Sequence, residues 1–291
     1  MSQLYDIGIF GGDLRQVYMA TAFLQNGYRV ATYCLATTIT HENSISVHTL
    51  NELFETCKIL IGPIPMSRDT VAITSINSPS DLTIAHVSYL LSKNHILFGG
   101  IIPKPIIELC TAKGIQCYDL MENETITILN AIATAEGAIM EAIANSDYNL
   151  HGSNCLVLGY GRCAKVLATK LKALDAKVTV AARSGVALAY AEAAGHVSVN
   201  LSNINSFLPS YKYIFNTVPS MVLDKDALAL VDKEVTIIDI ASAPGGVDFE
   251  YAKNHNIRAK LSLGLPGKVA PRSSADILVT EIIALLKERS D

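Results

Sequence analysis

A glycine-rich turn between an apolar strand and a helix is the stretch of this chain whose residue types could do chemistry. Residues 155–164 read Cys-Leu-Val-Leu-Gly-Tyr-Gly-Arg-Cys-Ala, a β-rich run followed by the pattern G-x-G-x-x-A. In a dinucleotide-binding βαβ unit the first glycine makes the tight turn, the second admits a pyrophosphate to the backbone, and the third position permits close helix packing. A helix predicted from Arg162 to Lys172 would direct its N–H groups at the phosphates. The sequence therefore predicts a dinucleotide site over residues 159–164.

The residues after this turn support the prediction and bear on the choice of dinucleotide. A second β-rich run, Ala176–Ala182, follows the helix as a Rossmann crossover requires. Arg183 and Ser184 then stand where an NAD-specific site has an acidic residue, and they suit a 2′-phosphate. We therefore expect NADP, with NAD possible; the alternative is a capped helix start with a solvated arginine. The predicted cofactor-binding residues are Gly159, Tyr160, Gly161, Arg162, Ala164, Arg183, Ser184, Thr217, Val218, Pro219 and Ala241.

Composition excludes several classes of protein. The chain has 291 residues, 50% of them hydrophobic and 17% charged, which is enough for about two domains and too apolar for a disordered chain. Its net charge of −4 gives no electrostatic reason to expect nucleic acid. The six cysteines form no C-x-x-C pair and the histidines lack metal-ligand spacing, so we expect reduced thiols and no metal. No basic leader or long uninterrupted apolar run is visible, so we expect a soluble cytoplasmic protein without membrane contact.

Strands alternate with helices along the whole chain, which predicts an α/β fold. We expect two doubly wound Rossmann-like domains with a cleft between them. In the first half the predicted strands are Tyr5–Phe10, Tyr28–Cys34, Cys57–Ile61, Val71–Ser75, His95–Phe98 and Ile115–Tyr118, with helices at Val17–Leu24 and near 82–92 and 104–113. In the second half they are Cys155–Leu158, Ala176–Ala182, Tyr211–Phe215, Val235–Ile240 and Ile257–Leu261, with loops after the last three.

A long helix-like stretch around residues 123–145 connects the two halves, and its Gly137 permits close packing. The predicted domains are 1–125, a flavodoxin-like or Rossmann-like substrate domain, and 126–270, an NAD(P)-binding Rossmann domain. A final helix, 271–289, is expected to pack back on the first domain. The stretch 262–268 is expected to be a loop that carries Lys268 in a Pro-Gly turn.

Three motifs around this core carry a family resemblance. They are Gly-Gly-Asp-Leu-Arg at 11–15, Asn-Ala-Ile-Ala-Thr-Ala-Glu-Gly at 130–137 and Leu-Pro-Gly-Lys-Val-Ala-Pro at 265–271. Together they resemble the family of dipicolinate synthase A subunits from endospore-forming bacteria, over essentially the whole chain. More broadly, the architecture is similar to that of D-2-hydroxyacid and alanine dehydrogenases.

The resemblance implies oxidation of dihydrodipicolinate, from a branch of the lysine pathway, to dipicolinate with NAD(P)⁺ as hydride acceptor. It also implies a second, flavoprotein-like polypeptide, the B subunit of dipicolinate synthase, and a place in the cytoplasm of the mother cell of a sporulating bacterium. The acid/base of the D-2-hydroxyacid dehydrogenases is not carried over, because the late loop holds Pro266, Gly267 and Lys268 instead of a histidine and the loop 241–247 has no arginine.

Cationic residues and turns are the expected anchors for a dicarboxylate substrate. Gly11, Gly12, Asp13, Arg15, Lys268 and Arg272 are the predicted substrate-binding residues, with the Gly11–Gly12 turn supplying backbone N–H donors. Glu136 and Lys268 are the predicted catalytic residues. Three of these residues also have a structural interpretation. Asp13 would be a helix N-cap, Glu136 would lie on a solvated helix face or act as a tether between helix and loop, and Lys268 would be an ordinary surface lysine.

Two other functions stay open at this point. The chain could be an NADP-binding regulatory subunit without turnover, because no compact acid/base pair is visible. It could also be a hydroxy or amino acid dehydrogenase, although a dicarboxylate needs two cationic anchors where a monocarboxylate needs one. We also expect a homo-oligomer, whose size the sequence does not fix.

Overall fold

The computed structural model describes residues 5–288, which form two compact units. The first unit combines the chain up to Thr127 with the chain from Ala270, and the second runs from Ile128 to Val269. Arg289, the last residue of the predicted C-terminal helix, lies outside the described residues.

The described residues contain twelve strands, eleven α-helices and two short 3₁₀ helices. The strands are β1 Ile7–Phe10, β2 Val30–Tyr33, β3 Ser44–Ser46, β4 Ile59–Ile61, β5 Ile96–Gly99, β6 Gln116–Asp119, β7 Asn154–Leu158, β8 Lys177–Ala182, β9 Val197–Asn200, β10 Tyr213–Asn216, β11 Thr236–Asp239 and β12 Arg258–Leu261. The helices are α1 Leu14–Gln25, α2 Leu50–Thr56, α3 Ile84–Leu90, α4 Lys104–Lys113, α5 Glu124–Ala144, α6 Arg162–Ala173, α7 Gly185–Ala193, α8 Lys225–Leu228, α9 Phe249–Asn254, α10 Leu265–Val269 and α11 Pro271–Lys287. The 3₁₀ helices are Leu201–Ser206 and Leu208–Ser210.

Each unit is built on a six-stranded parallel sheet that is covered on both faces. The order is β3-β2-β1-β4-β5-β6 in the first unit and β12-β11-β10-β7-β8-β9 in the second. The strand order therefore reverses between β1 and β4 and between β7 and β10, and ligands of such sheets bind outside the carboxyl ends of the strands at this switch point. This architecture confirms the predicted α/β class with two doubly wound Rossmann-like domains.

The sheet of the first unit is closed on one face by the last helix of the chain. Met19 and Phe23 of α1 belong to the same buried cluster as Ala275, Leu278 and Ile282 of α11. The other face is covered by α2, α3 and α4, whose apolar side chains share a second buried cluster with β4 and β5. The first domain is therefore assembled from both ends of the described chain.

Helix α5 is apolar along its length because its residues are mostly alanine and isoleucine. By length and composition alone it could cross a membrane, but 44% of its most apolar window is buried inside the protein, and core helices pass the same test. Gly137 lies against α10: a Cβ atom there would stand 3.1 Å from Leu265 and 3.2 Å from Val269. The close approach expected at Gly137 is therefore present.

Two predicted segments differ from the structure. Val71–Ser75 is not a sheet strand; its residues make only single bridges, including Ala72 to Thr83 and Gly12 to Ser75. The segment follows a bend at Thr70, whose φ is +65°. The predicted loop 262–268 contains α10, so Lys268 is helical and not in a turn. The structure also adds elements that the sequence interpretation did not mark, among them β3, α2, α7 and β9.

The buried side chain of His95 leads to a prediction of how the free energy of unfolding depends on pH. The His95 ring lies 3.0 Å from the carbonyl of Phe54 and accepts from the amide of Ser92 at 3.1 Å. Burial lowers its pKa below the ordinary value. As pH falls below about 6.5, the unfolded chain takes up a proton that the folded chain refuses, so the free energy of unfolding should fall until the folded pKa is reached.

We expect that fall to be at most about 1.4 kcal/mol per pH unit from this histidine. Urea midpoints at pH 7.5, 6.5 and 5.5 measure it in the wild type and in His95→Asn. The variant should start less stable and lose less on acidification; parallel curves would show that His95 does not contribute.

Candidate nucleotide-binding site

The first glycine of the β7–α6 turn is required by the fold. Gly159 has φ +93°, a left-handed backbone conformation, and its amide donates to the carbonyl of Ala181 at 2.8 Å. A Cβ atom at this position would clash with Oγ1 of Thr217. Any side chain would therefore strain the backbone and displace the loop after β10.

The second glycine has a different explanation. Gly161 has an ordinary φ of −78° and is the N-cap of α6, and no side chain caps the first turn of that helix. A Cβ atom there would meet nothing within 4 Å. Neither backbone conformation nor packing within the chain calls for glycine here, whereas the approach of a phosphate to an uncapped helix N-terminus does. Ala164, one turn later, is fully buried as close packing of α6 requires.

The loop after β10 forms the other side of the switch point. Thr217 donates its hydroxyl to the carbonyl of Leu158 at 2.8 Å, which ties the ends of β7 and β10 together. The fully buried Asn216 accepts from the amide of Val218 and donates to its carbonyl, both at 3.0 Å. These bonds fix Thr217 and Val218, while Pro219 is exposed at the end of the loop.

Arg183 stands at the end of β8 beside an open groove. Its guanidinium is exposed and donates to Oγ of Ser220 at 3.0 Å. Ser184 caps α7 by accepting from the amide of Ala187 at 3.4 Å. The groove has a volume of about 320 Å³, and Asp224, the N-cap of α8, also lines it. Its other lining residues are Asn200, Leu201, Ser202, Ile204, Asn205, Met221, Val222 and Ala227.

The loop after β11 is shaped by one buried carboxylate. Asp239 is fully buried, and its two oxygens accept from the amides of Ala241 at 2.9 Å and Gly246 at 2.7 Å. A Cβ atom at Gly245 would stand 2.6 Å from that carboxylate. Ala241 is therefore held in place at the same sheet edge as the glycine turn.

The turn of the first unit differs from the turn of the second. The amide of Gly11 donates to the carbonyl of Tyr33 at 3.0 Å, and that of Gly12 donates to the carbonyl of Thr74 at 2.7 Å. The side chain of Gln16 lies over Gly12 and accepts from the amide of Asp13 at 3.0 Å. The protein itself therefore satisfies both glycine amides in this structure. The predicted substrate-binding roles of Gly11, Gly12 and Asp13 stay predictions.

Arg15 links the β1–α1 turn to the segment that follows β4 at the same switch point. Its guanidinium donates to both oxygens of Asp13, at 3.0 and 2.8 Å, and to the carbonyl of Ile64 after β4. Arg15 is only 6% exposed. Asp13 also caps α1 in a capping box with Gln16, as its alternative interpretation states. The predicted role of Arg15 in substrate binding stays a prediction.

The remaining predicted residues are on helices other than the one that follows the glycine turn. Glu136 is on α5 and forms an ion pair with Lys170 of α6 at 2.9 Å. Lys268 is exposed on α10 in the second unit, and Arg272 is exposed on α11 in the first. Their catalytic and substrate-binding roles stay predictions. Across residues 5–288, no three His, Cys, Asp or Glu side chains group closely enough to hold a metal ion.

Three residues that the sequence interpretation did not select shape these sites. Gln16 fills the turn of the first unit, Ser220 binds Arg183, and Asp239 holds the loop after β11. Only Asp239 had a local signal, since an acidic residue inside the apolar run Val235–Ile240 must be satisfied if it is buried.

The fold and the glycine turn place the chain in the class of two-domain, dehydrogenase-like proteins with a Rossmann-type NAD-binding domain. Residues 127–247 match the family model of the D-isomer specific 2-hydroxyacid dehydrogenase, NAD binding domain. Residues 6–121 match the family model of the N-terminal domain of the dipicolinate synthase A subunit.

Comparisons with whole proteins narrow this class. A crystal structure of the dipicolinate synthase A subunit from Bacillus halodurans is 30% identical, with TM-score 0.88 over 98% of this chain and 99% of that one. The corresponding crystal structure from Bacillus subtilis is 29% identical, with TM-score 0.86 over 99% and 97%. The dipicolinate synthase A subunit of Bacillus subtilis (strain 168) is 37% identical over 193 residues, which span 66% of this chain but only 65% of that relative. The chain belongs to the dipicolinate synthase A-subunit family, which confirms the predicted resemblance.

Proposed function

We propose that this chain oxidises dihydrodipicolinate to dipicolinate with NAD(P)⁺, as the A subunit of a two-subunit enzyme. Family membership together with Gly161 carries the proposal, because the chain gives no other reason for a glycine at that position. Loss of a hydride and a proton converts the dihydropyridine ring into an aromatic pyridine, and aromaticity supplies much of the driving force. The protein therefore needs mainly to position the ring against the coenzyme.

Residues at the carboxyl edge of the second sheet would hold the nucleotide. The coenzyme supplies the hydride acceptor when bound. The uncapped N-terminus of α6 suits the pyrophosphate, and the groove beside Arg183 suits the adenosine end. The loops fixed by Asn216 and Asp239 would line the nicotinamide end. Hydrogen bonds within the protein already hold both loops in place, which favours a preformed site.

The position of Arg183 leads to a testable prediction about the preference for NADP⁺ over NAD⁺. Its exposed guanidinium is free to turn from Ser220 to a 2′-phosphate, and Ser184 stands beside it. In Arg183→Asp we expect NADP⁺ affinity to fall by about 100-fold and NAD⁺ affinity to change by less than about 5-fold, because only NADP⁺ carries the lost charge partner. Calorimetric titration of both nucleotides measures this.

Ser220→Ala is the matched control for that prediction, since it removes the partner of Arg183 but not the positive charge. It should leave the preference for NADP⁺ unchanged. Equal losses for both nucleotides in Arg183→Asp would contradict a 2′-phosphate site.

The substrate carries two carboxylates and calls for cationic anchors. We propose Lys268 and Arg272 as exposed anchors, and Lys268 also as a catalytic residue. Arg15 is also proposed as an anchor. Its guanidinium is already hydrogen-bonded to Asp13 and to the carbonyl of Ile64, so it would bind a carboxylate without moving. Glu136 stays a proposal as the base. The partner in this scheme is the flavoprotein-like B subunit, and the setting is the mother-cell cytoplasm during sporulation.

Turnover distinguishes this proposal from its alternatives. The purified chain, alone and with the B subunit, is supplied with dihydrodipicolinate and NADP⁺, and reduced nucleotide and dipicolinate are both quantified. Equal amounts of the two products support the proposal. Nucleotide binding without turnover in either mixture would favour a regulatory role, and turnover of a hydroxy or amino acid alone would favour the other dehydrogenase.

A further inference from the structure

Ile101, which follows β5 in the first unit, has a backbone conformation that suits few side chains. Its φ is +52°, in the left-handed region. Of the six non-glycine residues with positive φ in the described part of the chain, Ile101 is the one with an aliphatic side chain. Branching at Cβ makes isoleucine a poor fit to this region, whereas glycine adopts it freely. Isoleucine therefore strains the backbone at a position where glycine would not.

Hydrogen bonds of the main chain hold Ile101 in this conformation. The carboxylate of Asp119, at the end of β6, accepts from the amides of Ile101 at 3.0 Å, Ile102 at 2.8 Å and Met121 at 2.9 Å. All three donors are backbone groups, so a glycine at position 101 would make the same bond. None of these bonds therefore explains why the side chain is isoleucine.

The side chain of Ile101 also gains little from packing. It is 61% exposed, so most of its apolar surface stays in water and burial offsets little of the strain. Strained residues of this kind cluster at ligand sites, where the side chain serves a function outside the fold. The side chain of Ile101 is therefore better explained by a ligand than by the stability of the first unit.

The position of Ile101 is next to the switch point of the first sheet, where ligands of such folds bind. The amide of Gly100 donates to the carbonyl of Pro63 at 3.3 Å, and a Cβ atom at Gly100 would stand 2.7 Å from the side chain of Ile64. The carbonyl of Ile64 also accepts from the guanidinium of Arg15. One short segment after β4 thus contacts both the turn that carries Ile101 and a proposed cationic anchor.

Two further apolar side chains are exposed at turns of the same sheet edge. Leu14, the first residue of α1, is 43% exposed. Ile76 is 61% exposed and follows Ser75, which forms a bridge with Gly12 of the β1–α1 turn. Ligand sites are mostly apolar with a few polar groups that fix orientation. An edge with exposed aliphatic residues and one paired arginine suits a ring that bears carboxylates.

We propose that Ile101 is a specificity-determining residue, whose side chain contacts the face of the substrate ring and selects a planar ring dicarboxylate over an open-chain one. The inference rests on the proposed function and deepens it, because it assigns the recognition of the ring. Cationic anchors bind carboxylates whatever lies between them, whereas an aliphatic side chain gains only from covering apolar surface.

Calorimetric titration of the full chain, with NADP⁺ present, tests this assignment. The probes are dipicolinate and glutarate, which both have two carboxylates separated by three atoms, although glutarate has no ring. The wild type should bind dipicolinate at least about 10-fold more tightly than glutarate. In Ile101→Ala the Kd of dipicolinate should rise about 10-fold and that of glutarate less than about 2-fold, because only the ring loses its apolar contact.

Two other variants serve as controls. Ile101→Gly removes both the side chain and the strain, so its urea midpoint should equal or exceed that of the wild type while dipicolinate affinity falls as in Ile101→Ala. Alanine retains a Cβ atom, so the two variants separate loss of the side chain from loosening of the backbone. Tyr89 is 80% exposed near the end of α3, toward the opposite, amino edge of the sheet, and Tyr89→Ala should change the affinity for neither probe.

Several outcomes would overturn the proposal. They are undetectable binding of dipicolinate to the wild type, equal losses for dipicolinate and glutarate, wild-type dipicolinate affinity in Ile101→Ala, and a lower urea midpoint in Ile101→Gly. Failure of the proposed function gives a different result. A chain that binds dipicolinate through Ile101 but reduces no NADP⁺, with or without the B subunit, would refute turnover and support the ring contact.

Discussion

A Gly161→Val variant is expected to fold normally and to lose nucleotide affinity by about 100-fold or more, which corresponds to about 2.7 kcal/mol. The space around Gly161 is open, because an added Cβ atom would meet no other atom within 4 Å. The valine side chain would occupy the volume through which a phosphate reaches the first turn of α6. Because φ at this residue is ordinary, we expect the free energy of unfolding to change by less than about 1 kcal/mol.

Gly159→Val is the comparison that gives this result its meaning. Its φ of +93° and the clash of the added Cβ with the Thr217 hydroxyl oppose any side chain. We expect a loss of stability of about 2–4 kcal/mol, since backbone strain and a steric clash both contribute.

The two variants thus separate a glycine kept for a ligand from a glycine kept for the fold. Thermal melts and calorimetric titration with NADP⁺ and NAD⁺ provide both readouts. Wild-type affinity in Gly161→Val would contradict the site at α6, and a stability loss there as large as in Gly159→Val would show that the surrounding space is not open.

Asp239→Ala is expected to destabilise the second unit by about 2–4 kcal/mol and to weaken nucleotide binding. The substitution leaves the amides of Ala241 and Gly246 buried without an acceptor, and each unsatisfied group costs about 1–3 kcal/mol. The loop between them would then rearrange, and with it one wall of the proposed site. Urea denaturation followed by circular dichroism measures the first effect, and nucleotide titration measures the second.

Asp147→Ala is the control for this variant. Asp147 forms an ion pair with Arg258 at 2.9 Å, but its side chain is 83% exposed. Exposed pairs contribute less than about 1 kcal/mol, so the urea midpoint should hardly move. Similar losses in the two variants would mean that Asp239 does not organise the loop.

The nucleotide turn could be predicted from sequence because its requirements are local. Its determinants lie within eleven residues: the apolar run of β7, then Gly159, Gly161 and Ala164. Each of them is required by the sterics of a single strand–turn–helix unit. The same holds for α4, whose predicted bounds agree with the structure, since Pro103 precedes it and Gly114 ends it in a left-handed conformation.

The turn of the first unit could not be predicted in this way, because its partners come from distant segments. Gly11 and Gly12 have the composition of an anion-binding turn, but Tyr33 and Thr74 accept from their amides and Gln16 covers them. The same limit applies to Val71–Ser75, which has the composition of a strand. In the structure its residues form only isolated bridges, while β4 pairs with β1 and β5, and strand composition alone does not reveal which partners a segment finds.

The position of α11 determines the order in which the chain can fold during synthesis. The first unit needs Ala275, Leu278 and Ile282 to cover Met19 and Phe23 of α1, so it cannot be completed until the ribosome has translated α11. The second unit is continuous from Ile128 to Val269 and needs no such wait. During translation the nucleotide-binding domain is therefore the first that can reach its native state, and the nascent N-terminal domain must keep an apolar face protected from aggregation until the last helix emerges.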